Sequence, residues 1–140
     1  MERSPKELVE RFYHEVWNRA DEAAAREILH ADFRFRGSLG PERRGPEGFI
    51  EYMRSIHAAL AGFTCTIDDL IVVHDRAAAR MTFSGVQRDR LFSVEPTGRE
   101  IRWSGAAFFT TDGRQITTLW VQGDVDSVKQ QLNAPAGSRF

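Results

Sequence analysis

At Thr64 the spacing of apolar residues changes from about 3.6 to 2, and it stays near 2 as far as Asp124. That change restricts the fold more than any other feature of the chain. A period of 3.6 gathers side chains on one stripe of a helix, and a period of 2 gathers them on one face of a strand. Helices first and long strands afterwards, with short connections, have to pack as helices against one sheet, an α+β arrangement. The strand half divides at its turn signals. Segments 64–74 and 77–87 are expected to pair across Asp75-Arg76, and a third strand to run over 99–111. Asp112-Gly113 is read as a two-residue hairpin turn, which needs positive φ at both positions. The fourth strand then covers 114–124.

The helical half carries its own start signals. Ser4-Pro5-Lys6-Glu7 is a capping box with proline in the first turn, followed by Leu8, Val9, Phe12, Tyr13, Val16 and Trp17 at helical spacing. Asp21 caps a second, alanine-rich helix ending near Leu29. Phe33-Arg34-Phe35-Arg36 alternates as a short strand before a Gly/Pro loop, GSLGPERRG, and Pro46 restarts a helix through Leu60. A last helix over 126–132 is expected to take Asp126 as its cap. The reading is one domain over 1–133 with a flexible tail at 134–140.

Charge and composition remove several classes of function. Nineteen basic residues face 20 acidic ones in 140, with no basic stripe, which argues against a nucleic-acid partner. The apolar runs are far short of the roughly 20 residues that cross a bilayer, and the charged N-terminus is unlike a signal peptide, so no membrane partner and a cytoplasmic location are expected. Cys65, the single cysteine, reads as core. His14, His30, His57 and His74 show no metal-ligand spacing. No G-x-S-x-G elbow or Walker loop is present.

The two-residue turn also fixes a register. Phe109 would face Ile116, Gly105 would face Trp120, and Trp103 would face Gln122. One sheet face then collects Trp103, Gly105, Ala107, Phe109, Trp120, Gln122 and Asp124, the makeup of a pocket wall. The opposite face collects Phe108, Leu119 and Val121, and its apolar character marks it as a homodimer surface. Asp124 on the pocket face would lose much of its hydration to the two tryptophans. Tyr13 and Trp17 on the first helix, and Tyr52 and His57 on the third, are candidates for the pocket mouth.

The combination FRFRGSLG, RGPEGFIEYM, PTGREIRWSG, DGRQI and WVQGDVDSVKQQL resembles the SnoaL-like polyketide cyclases, or ester cyclases, of the NTF2-like superfamily. The resemblance covers nearly the whole chain. It implies a cone of curved antiparallel sheet with three N-terminal helices on the concave face, ring closure by intramolecular aldol condensation of a hydrophobic polyketide-like substrate, and no metal or organic cofactor. It also implies that Asp124, four residues after Trp120, is the catalytic acid/base. The binding set read with it is Trp103, Trp120, Gln122, Phe109, Gln87, Tyr13, Trp17, Tyr52 and His57, with Gln122 holding the enolate oxygen. One departure is Gly85-Val86-Gln87 where many relatives carry G-T-H, since Gln87 cannot titrate. Isomerase or dehydratase chemistry in the same cone, or a non-catalytic small-molecule-binding module, are the alternatives.

Overall fold

A computed structural model describes residues 2–135. Helix α1 (Pro5–Arg11) begins as the capping box requires, with Ser4 Oγ accepting from the Glu7 N–H at 3.1 Å, and widens into a π-helical turn over Phe12–Trp17. Helix α2 (Glu22–Ile28) is capped by Asp21, and α3 (Gly45–Ala59) has proline in its first turn. Strands β1 (Leu29–Arg36), β2 (Arg43–Arg44), β3 (Leu60–Val73), β4 (Arg76–Gln87), β5 (Glu100–Thr111) and β6 (Ile116–Gly123) form one sheet in the order β2-β1-β6-β5-β4-β3. Helix α4 (Val125–Asn133) closes the domain. The tail expected from 134 onward lies, beyond 135, outside the described residues.

The sheet is antiparallel except where β1 lies parallel to β6. The helices cover one face. Leu8, Phe12, Val16 and Phe49 meet Met81, Ala107 and Phe109 of that face in a single apolar core. Among the described residues no helix is long and apolar enough to cross a membrane.

The β5–β6 connection corrects the expected register. Thr111 pairs with Ile116, so the loop holds Asp112 to Gln115, not two residues. Asp112 causes this. Its carboxylate accepts from the backbone N–H of Gln115 at 2.8 Å and of Arg114 at 3.0 Å, closing a wider turn than Asp-Gly alone would form. An irregularity between Thr110 and Thr111 then leaves Thr117 unpaired in the ladder, and Phe109 faces Leu119 in place of Ile116. Beyond that bulge the slip is three residues, and an odd slip sends the β6 side chains from Thr118 onward to the other face, whereas Ile116, shifted by two, stays inside. Leu119 and Val121 are buried inside, while Trp120 and Gln122 are outside. The β3–β4 turn also sits one residue earlier than expected, on His74-Asp75, with Val73 paired to Arg76.

Candidate functional site

Between the helices and the inner face of the sheet lies a cavity of about 40 Å³. Tyr13 and Trp17 reach it from the π-helical turn, Tyr52 and Ile56 from α3, Phe63 and Cys65 from β3, and Phe83 and Trp103 from β4 and β5. Leu119 and Val121 complete the wall from β6. The stretch 37–39 lines another side, with Leu39 among the lining side chains. Glycines make its close packing possible. A Cβ on Gly37 would come within 2.7 Å of Phe35 and 2.9 Å of the Tyr52 hydroxyl, and one on Gly123 within 2.6 Å of Ser38 Oγ.

The aromatic rings of the walls pack against one another. Trp17 packs T-shaped against Tyr52 and Phe63, and Phe83 lies 5.5 Å from Trp103 between ring centres. The ionisable groups in the lining are Tyr13, Tyr52 and Cys65. Burial pushes all three upward, because the low-dielectric surroundings disfavour the charged form, so each stays protonated at neutral pH. Among the described residues no carboxylate, histidine or basic side chain lines the cavity.

Of the residues expected to form the site, Trp103, Tyr13, Trp17 and Tyr52 come together here. Phe109 and His57 stand one layer back. Phe109 supports the Tyr13 ring at 5.9 Å, and His57 Nε2 meets the Trp17 carbonyl at 2.9 Å, so neither lines the cavity. Trp120 and Gln122 face away from it. The Trp120 ring packs at a tilt against Phe108 under the Arg36 guanidinium, and Gln122 Oε1 accepts from Arg36 Nη1 at 3.2 Å. Gln122 therefore cannot hold an enolate in this cavity.

Gln87 is buried but fully occupied. Its amide donates to the carbonyls of Val94 and Asp89 and accepts from the N–H and hydroxyl of Thr97, which ties down the segment between β4 and β5. It has no hydrogen bond left for a substrate.

Asp124 is the N-cap of α4. Its Oδ1 accepts from the Ser127 N–H at 3.1 Å, the place expected of Asp126, and the residue is exposed, so the anticipated desolvation is absent. The position keeps one link to the cavity. Gly123, its chain neighbour, packs against Ser38 and the Trp103 indole, both of which line the cavity.

The lining residues not expected from sequence are mostly strand residues. Phe63, Cys65 and Phe83 could have been found from their parity, because Cys65 pairs with Phe83 and Phe83 with Trp103, and paired residues share a face. Nothing in the GSLGPERRG loop marks Leu39 as the residue that turns inward. Among the described residues no group of three or more His, Cys, Asp or Glu side chains is placed to hold a metal ion.

A curved, unclosed sheet with helices over an apolar, aromatic-lined cavity defines an α+β protein of the ketosteroid isomerase-like, NTF2-like class. The model of the SnoaL-like polyketide cyclase family matches residues 7–132, and the chain belongs to that family. Solved structures agree on the fold. A protein from Jannaschia sp. CCS1 assigned to the SnoaL-like polyketide cyclases superposes with a TM-score of 0.84 at 20% identity, over 96% of this chain and 99% of that one. TsrD from Streptomyces laurentii gives 0.80 at 28% identity, over 93% and 95%. IdmH from Streptomyces antibioticus, assigned as a polyketide cyclase, gives 0.82 at 21%, over 94% and 100%. No curated protein matches the sequence.

Proposed function

We propose that the protein takes a hydrophobic carbonyl compound into this cavity and closes a ring in it without a cofactor, with Asp124 as the acid/base. The supporting observation is the contact of Gly123 with Trp103 and Ser38, two residues of the cavity lining, which leaves Asp124 one residue from that contact. A substrate seated on the aromatic walls and projecting from the mouth would present an acidic C–H to the carboxylate oxygen not engaged by Ser127. The proton passes to Asp124, and the enolate carbon attacks a second carbonyl of the same molecule to form a C–C bond. The new alkoxide takes the proton back, so no redox partner is needed. The loop over 37–40 has to yield. About 40 Å³ holds a few waters, whereas sites that enclose drug-sized ligands run to about 300–1,000 Å³.

One observation favours a second reading, a binding module without turnover. Among the described residues the cavity lining has no carboxylate or imidazole, and the Asp124 carboxylate is exposed and caps a helix. Asp124→Asn separates the two, because asparagine caps about as well as aspartate but cannot take a proton. Assayed on a panel of aromatic polyketide-like ketones and esters, the variant should keep its fold and lose about 10²–10⁴-fold in turnover. Full turnover in the variant makes Asp124 a cap only.

The proposal includes a homodimer. Ile71, Ala78, Phe108 and Trp120 are paired in turn across β3, β4, β5 and β6, an apolar row straight across the outer face. Ile71 is 59% exposed, Phe108 50% and Trp120 44%, and a flat row of this kind is complementary to its own copy across a two-fold axis.

A further inference from the structure

Nearly all of the cavity wall is out of reach of solvent. Among the described lining residues only Ser38 and Leu39 are half-buried, and the others are buried. The buried ones sit on helices and strands, Gly37 excepted. Residues 37–42, the irregular link between β1 and β2, are therefore a single layer between the cavity and water.

That layer is lightly held. Its residues have no ladder partner, since the pairing of β1 with β2 stops at Phe35 and Arg43 and the pairing of β1 with β6 stops at Arg36 and Trp120. Contact seats it instead. Gly37 and Gly40 lie against Tyr52, where a Cβ on Gly40 would come 3.2 Å from the ring, and Ser38 Oγ fills the space that a side chain on Gly123 would take. Leu39 packs against the core. The ion pair between Arg34 and Glu42, at 3.4 Å, is exposed and adds little. A segment with so few buried contacts opens locally at small cost.

We propose that residues 37–42 are the entrance strap of the cavity, closed in the free protein with Leu39 packed on the core, and that a ring-sized ligand passes only when the strap leaves Tyr52 and Gly123. The inference rests on the cavity being the ligand site of the proposed function, and it adds the route into that site. A closed volume of about 40 Å³ admits no ring, because an apolar cavity that takes up benzene measures about 150 Å³. Opening through the helices or the sheet would break the core. Opening at the strap leaves the core intact.

The seat of the strap also offers a lock. The Cβ position of Gly123 lies 2.6 Å from Ser38 Oγ, and a disulfide holds a Cβ roughly 3 Å from the partner sulfur. Ser38→Cys combined with Gly123→Cys should therefore oxidise with the strap closed. The probe is 2-acetylnaphthalene, with on-rates and off-rates read from NMR line shapes of the full chain at pH 7. The double variant is measured after treatment with glutathione disulfide and again after dithiothreitol. Oxidised, it should take up the probe at least about 100-fold more slowly than the wild type, and reduction should return the rate to the wild-type value or above, because only the open state binds. Leu39→Ala loosens the strap instead of tying it. It should raise the on-rate and the off-rate together by roughly fivefold, the effect of losing a half-buried leucine from the closed state. A Leu39 that is only wall would give a faster off-rate at an unchanged on-rate, and that result overturns the strap. So does an oxidised double variant that exchanges at wild-type speed, or a pair of thiols that fails to oxidise. A wild-type chain that binds no probe overturns the cavity as the ligand site, and the strap with it.

Discussion

The inner and outer faces of the β5–β6 hairpin are both rich in apolar side chains, yet they behave oppositely. Inside, Trp103, Ala107, Phe109, Leu119 and Val121 are buried, and most of them border the cavity or support it. Outside, Phe108 and Trp120 pack against each other at a tilt in solvent, with Arg36 over the Trp120 ring. Apolar content therefore does not say which face of this hairpin is the core. The register says it, and the register is set by how one loop spends its hydrogen bonds.

Neighbouring residues of β6 should give the sharpest contrast. Leu119→Lys puts an ammonium group into the cavity wall, where no acid among the described residues lines the space to meet it. The cost of an unpaired buried charge added to the lost packing exceeds about 4 kcal/mol, a large part of a typical domain's stability. Circular dichroism should show a mostly unfolded chain, and a well-folded Leu119→Lys protein would mean that Leu119 faces outward after all. Trp120→Lys, one residue on, should instead fold normally and shift the particle from dimer to monomer in light scattering. A dimer that survives this change would remove the outer row as the contact.

Much of the fold was legible in the sequence because its signals are local. The capping box at Ser4, the Asp21 cap and the change of period at Thr64 each depend on residues a few positions apart, and the family to which the chain belongs accounts for the cone. Trp103, Tyr13, Trp17 and Tyr52 were legible as well, since helix stripes and β5 parity need no partner strand. The face of β6 was not. Trp120 and Gln122 were placed inside by carrying parity across a turn assumed to hold two residues, and side-chain bonding by Asp112 lengthened that turn. The hydrogen bonds of Gln87 and the exposure of Asp124 were missed for a different reason. Whether a polar side chain points at a ligand or at nearby backbone depends on which N–H and C=O groups the fold leaves unpaired, and Thr97, Val94 and Ser127 took those bonds first.

The smallest expected effect tests the cause of the register itself. The Asp112 carboxyl is held below the usual carboxylate range by the backbone N–H groups of Gln115 and Arg114, which bond the ionised form. A folded value below the unfolded one of about 3.9 means that ionised Asp112 stabilises the hairpin at any pH above that value. The contribution fades as the pH falls through the lower, folded value. Asp112→Ala should therefore cost about 0.5–1 kcal/mol at pH 7, a small amount because the side chain is exposed and water competes for the same bonds. Denaturant melts of the two proteins should converge as the pH is lowered below about 4, because the wild type loses its advantage there and the variant has none to lose. Equal stability at pH 7 would show that Asp112 does not hold the four-residue loop. The placement of Leu119 inside and Trp120 outside would then need another physical cause, and the bulge at Thr117 is the remaining one in the hairpin.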